Sequence, residues 1–148
     1  MPLRRISREW ALRYLYQLDV SGDEMTESSL SWFWAQMDES DDKLEAREIR
    51  KCRKLALTLI RGVLQHVDTI DVDLERVAKD WDLDRIAAVD RNILRIGIYE
   101  ICYVNSIPTA VSINEALEIC RSYGGGEHSR PLINGILDKI SREFMEDN

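Results

Sequence analysis

The chain has 148 residues, 45% of them apolar, a formal net charge of -7 and three cysteines that are odd in number and far apart. That length buries one good core or two small ones sharing an interface, so a single domain over residues 1–148 is expected, with subdomains of approximately 1–65 and 66–148. No long apolar run occurs, and the basic opening MPLRRISREW leads into a stretch broken by Arg8, Glu9 and Arg13, which excludes a membrane span and a signal peptide and points to the cytoplasm.

In chain order, apolar residues at Trp10, Ala11, Tyr14, Leu15 and Leu18 recur at helical spacing and predict a first amphipathic helix, with Ser7 as its N-cap and Ser21-Gly22 as its stop. Its polar side carries Arg8 and Arg13, with Arg4 and Arg5 in the lead-in or first turn, where cations oppose the helix dipole. Between Asp23 and Glu45 eight acidic residues face Lys43 alone, so this segment carries -7 and the rest of the chain is neutral. Thr26 opens a short second helix running to Met37, ended by the polar stretch Asp38 to Asp42. Its Trp32, Phe33 and Trp34 cannot share one helical face, so some aromatic exposure is expected.

From Leu44 to Gln65 a long third helix opposes a basic face, Arg47, Arg50, Lys51 and Lys54, to an apolar one, Leu55, Leu59, Ile60 and Val63. A solvated surface is the ordinary reading of such cations. The fourth helix covers Val67 to Trp81, and Asp84 is the candidate N-cap of the fifth. That fifth helix, Ile86 to Val104, is apolar almost all round, which requires neighbours on several sides, and Gly97 lets one of them approach closely. Pro108 ends it. Ser112 and Glu115 have capping-box spacing for a sixth helix that buries Ile113, Ala116, Leu117 and Cys120 and stops at Gly124. After the glycine loop, Ser129 caps a last helix whose inner face is Ile133, Ile136, Leu137 and Ile140. Seven helices with no strand signal predict an all-α fold.

Signatures of catalysis are missing. No histidine is spaced with a carboxylate as a metal pair, and no serine sits in a nucleophile motif. Cys52, Cys102 and Cys120 each fall in an apolar helical pattern without C-x-x-C spacing, which fits reduced core thiols better than disulfides or zinc ligands. The loop Gly124 to Ser129 lacks a P-loop lysine, so its anion-cradle reading yields to that of a helix connection. No cofactor, no metal and no enzymatic activity are expected.

The segments RRISREWALRYLYQLD, VDRNILRIGIYE, INEALEICRSYG and NGILDKI, with Ile107-Pro108 before the sixth helix, together resemble the NusB family of bacterial transcription antitermination factors. The resemblance covers essentially the whole chain and implies an all-helical fold of two packed small bundles. It implies binding of the single-stranded boxA element of rRNA leader transcripts jointly with a NusE-type ribosomal small-subunit protein, within a transcription elongation complex, in support of antitermination and rRNA maturation. Residue by residue, the family's RNA face maps onto Arg4, Arg5, Arg8 and Tyr16, and onto Ser129, Arg130 and Leu132 at the last helix. Ser129 fits the family pattern, whereas this chain departs from it at Ile6, where a third arginine is common, and at Glu127, His128, Arg130, Pro131 and Leu132, where Leu132 replaces an aromatic. A base stacked on an aromatic is worth about 1–3 kcal/mol, so that replacement bears on affinity or preferred sequence. The alternative reading is a protein scaffold or homodimer that keeps the fold and has lost specific RNA binding.

Overall fold

The computed structural model describes residues 3–40, 43–81, 86–124 and 126–147, and every regular element among them is helical. The chain forms two compact units, Met1–Arg61 and Gly62–Asn148.

The first unit holds α1 (Leu3–Ser21), α2 (Glu27–Ser40) and most of α3 (Ala46–Gln65). α1 starts a turn earlier than its sequence suggests. Ser7 is not its cap but a buried helical residue, whose hydroxyl donates to the Leu3 carbonyl at 2.6 Å. Trp10, Ala11, Tyr14, Leu15 and Leu18 form the buried face as expected, and Gly22 ends the helix at φ +77°, with its N–H on the Leu18 carbonyl. α2 begins with a reciprocal cap: the Ser29 N–H donates to Thr26 Oγ1 at 3.0 Å, and the Thr26 N–H donates to Ser29 Oγ at 3.3 Å. Its aromatics divide as their spacing requires. Phe33 is buried against Tyr14, Trp34 is half-buried against Trp10, and Trp32 is 59% exposed.

In α3 the Glu48 carboxylate accepts the Glu45 N–H at 3.1 Å and closes the first turn. Cys52, Ala56 and Ile60 make the buried stripe, whereas Leu55 and Leu59, expected on that face, flank it half-buried. Leu3 and Cys52 bring the start of α1 against the middle of α3, with Cys52 Sγ 3.7 Å from the Leu3 carbonyl.

The second unit holds the end of α3, α4 (Val67–Val77) with a following 3-10 turn (Ala78–Asp80), α5 (Ala88–Tyr103), α6 (Thr109–Tyr123) and α7 (Ser129–Asp147). α5 packs against α4, α6 and α7, which is why it needs apolar residues on nearly every side. The candidate cap Asp84 lies outside the described residues; the N-cap of α5 is Ala87, with no side-chain cap bond. At Gly97 a Cβ atom would stand 2.9 Å from Leu137 Cδ1, so the glycine is what lets α7 approach.

Polar residues buried in α5 tie its neighbours down. Glu100 accepts a hydrogen bond from Ser112 at 3.0 Å and holds the first turn of α6, so Ser112 forms no capping box and the N-cap is Pro108. Arg95 forks onto both Asp71 oxygens of α4 at 2.8 Å while donating to Asn92 Oδ1 at 3.1 Å. No helix among the described residues is long and apolar enough to cross a membrane.

Candidate nucleic-acid interface

The residues singled out for RNA contact fall on α1 in the first unit, three arginines near its start and Tyr16 in its second half, and at the start of α7 in the second. On α1, Arg4 is exposed, Arg5 is half-buried and engaged in an interaction within the fold, and Tyr16 is 42% exposed. No acidic residue occupies the first turn. Arg8 departs from the expectation that it lies on the polar side of the helix: it is 6% exposed and interacts within the fold. Its position explains this, because Arg8 follows the buried Ser7 and precedes the buried Trp10 and Ala11, at the margin of the apolar face. The accessible positive charge at this end is therefore Arg4, with part of Arg5.

At α7 the side chains alternate between inside and outside. His128 and Arg130 are exposed, and between them Ser129 is 5% exposed, its hydroxyl donating to Asp90 Oδ2 of α5 at 2.6 Å. Ser129 thus does not cap α7. The Leu132 N–H bonds the His128 carbonyl and the Ser129 N–H bonds the Gly126 carbonyl, so the helix opens from His128 and the serine side chain serves α5. Leu132 is half-buried and Pro131 exposed. Gly126 adopts φ +148°, which an L side chain rarely reaches. Gly124 needs no left-handed backbone but leaves no room, since a Cβ there would lie 2.5 Å from the Cys120 carbonyl oxygen.

Burial pushes the Cys120 thiol above its ordinary pKa, Asp90 adds to the effect and Arg130 opposes it. A thiol so held stays protonated at neutral pH and is a poor nucleophile or metal ligand. Among the described residues no group of three histidine, cysteine or acidic side chains is placed to hold a metal ion. The arrangement presents exposed guanidinium groups and one tyrosine ring, which suits phosphate and base contact.

Sequence reasoning missed the polar residues buried in α5, of which Asp90 supports the start of α7. Asp90, Asn92 and Glu100 are all buried in α5. The signal was present, because Asp90, Ile93, Gly97 and Glu100 fall on one helical face at core spacing.

The sequence model of the NusB family matches residues 5–142. The transcription antitermination protein NusB of Pelotomaculum thermopropionicum is 42% identical over 137 residues, covering 93% of this chain and 88% of the relative. A solved structure of T. maritima NusB is 33% identical and superposes with a TM-score of 0.72, covering 97% of this chain and 92% of that one. A chain from a crystal structure of antitermination factors NusB and NusE in complex with dsRNA shares the fold at a TM-score of 0.76 and 23% identity, covering 97% of this chain and 98% of that chain.

Proposed function

The chain belongs to the NusB family, and from that premise we propose that it is an RNA-binding transcription antitermination factor of the cytoplasm. It binds a single-stranded boxA-like element of rRNA leader transcripts together with a NusE-type ribosomal small-subunit protein, and acts in the transcription elongation complex without catalysing a reaction. The observation that carries the reading is the family relationship over nearly the whole chain, joined to exposed RNA-compatible groups at the matching positions Arg4 and Tyr16 and to the exposed Arg130, which departs from the family pattern but keeps a positive charge there. Arg5 adds a partly accessible charge. Arg8 and Ser129, being buried, act by holding these neighbours in place, and Leu132 offers only its exposed edge. The two units function as one NusB-like domain over residues 1–148.

Three phosphate-contacting arginines on a single strand give a log-log salt slope of about -2. Such contacts bind weakly alone, so specificity comes from splayed bases and from the partner protein. Fluorescence anisotropy of a boxA-like RNA, with and without the NusE-type protein, tests this. Wild-type protein with partner prefers boxA-like over scrambled RNA, and Arg4→Ala, at the exposed arginine, weakens binding while leaving thermal stability unchanged. Equal binding of both RNAs by the wild type would sink the reading.

One observation favours a second reading, a homodimer. Trp32 is 59% exposed on α2, and a large aromatic in water is a natural self-association contact. Light scattering separates the two: a dimer that Trp32→Ala dissociates, with no preference for boxA-like RNA, supports the second.

A further inference from the structure

α3 carries a row of cations that folding does not explain. Arg47, Arg50, Lys51, Lys54 and Arg61 are all exposed. At 3.6 residues per turn they fall within an arc of about 100°, opposite the buried stripe of Cys52, Ala56 and Ile60.

Among the described residues none of the five has an ion-pair partner. Arginines elsewhere on the surface do: Arg76 bonds Glu143 at 2.6 Å, Arg121 lies 3.8 Å from Glu118, and Arg142 lies 2.5 Å from Asp138. The row also repels itself. Arg47 lies three and four residues from Arg50 and Lys51, and Lys54 stands in the same relation to Lys51 and Arg50; like charges at these spacings weaken a helix. Arg47, in the first turn, further opposes the helix dipole. No burial offsets these costs, whereas a bound polyanion would.

The row's geometry selects a linear polyanion. It runs for about 21 Å along a straight helix, with cations recurring roughly once per 5.4 Å turn over its first part. The row lies in the same compact unit as the α1 arginines.

We propose that the α3 row is a second, sequence-independent RNA-binding track that holds the phosphate backbone flanking the specifically read element. The proposal rests on the RNA-binding function inferred above and adds to it a site outside the α1 and α7 positions. Arginine and lysine suit the task differently: Arg47, Arg50 and Arg61 offer forked donors to phosphate oxygens, while Lys51 and Lys54 act as point charges.

The test is the salt dependence of RNA binding by the full chain with Arg50→Gln, Lys51→Gln and Lys54→Gln combined. Glutamine keeps helix propensity and the substitutions relieve repulsion, so the variant folds at least as stably as the wild type. The probe is a fluorescein-labelled boxA-like RNA extended by a run of uridines, beside a scrambled RNA of equal length. With the α1 and α7 arginines and all five α3 cations engaged, a rise from 50 to 200 mM salt cuts wild-type affinity about 2,000-fold. In the variant the same rise cuts it only about 130-fold, on both RNAs. A wild-type loss of only about twentyfold, unchanged in the variant, overturns the track. It would equally be overturned if only an acidic protein, and no RNA, responded to the three substitutions. Equal affinity of the wild type for the two RNAs, with the steep slope retained, would instead strike the boxA reading and leave the track standing.

Discussion

Truncating Ser129 to alanine removes a 2.6 Å hydrogen bond and leaves the Asp90 carboxylate, 3% exposed, with one donor fewer. A buried acceptor deprived of a partner costs about 1–3 kcal/mol, so Ser129→Ala should lower the urea midpoint clearly. The exposed Ser28→Ala control should stay within about 0.5 kcal/mol of wild type. Cys102 makes a prediction of a different kind. Burial first, and then Asp73, pushes its thiol up to about 11, against the opposing charge of Arg76. Thiolate at neutral pH is then about a hundredfold scarcer than for an ordinary thiol, and iodoacetamide should label Cys102 that much more slowly in the folded protein than in urea. Because the folded-state pKa lies above the unfolded one, the protonated thiol favours the folded state below pH 9.0, and this contribution is lost as the pH rises through about 11. Cys102→Ala should flatten that alkaline loss of stability.

At the scale of elements, the third helix meets the fifth through a glycine. A Cβ on Gly62 would lie 2.1 Å from Tyr99 Cζ, and Tyr99 in turn stacks on Tyr103, which stacks on His66 at 3.9 Å. Gly62→Ala gains about 1 kcal/mol of helix propensity yet forces the Tyr99 ring aside, at an overpacking cost of about 1–3 kcal/mol. The expected net result is destabilisation, with near-ultraviolet circular dichroism of the tyrosines changing as well; a stabilised variant with an unchanged spectrum would contradict it. Most elements were legible in the sequence because hydrophobic period and the stops at Gly22 and Pro108 are local signals. The serines were not. In sequence Ser7, Ser112 and Ser129 read as caps or capping-box residues, but all three are buried within the opening turns of their helices and donate to Leu3, Glu100 and Asp90. Whether a first-turn hydroxyl turns to its own helix or to a neighbouring one depends on packing at distant positions. The same limit hid Arg8, whose burial no pattern of charge along α1 reveals; spacing alone required that one of the three aromatics of α2 be exposed, and packing decided that it is Trp32.

For the molecule as a whole, the acidic segment between Asp23 and Glu45 accounts for the net charge of -7, which is why a negative total is compatible with exposed cationic faces on α1 and α3. Charge placement, and not its sum, governs encounter with an anionic ligand. The hydrogen bonds from α5 carry a consequence in time. Glu100 reaches Ser112 across 12 residues of chain, whereas Asp90 reaches Ser129 across 39. Closing the shorter loop loses less chain entropy, so α5 and α6 should pair in the transition state for folding and α7 should dock after it. Stopped-flow measurements should then find Ser112→Ala slowing refolding and Ser129→Ala chiefly speeding unfolding. The start of α7, with Arg130 on its outer side, would be the last part of the second unit to be set in place and the first to be released.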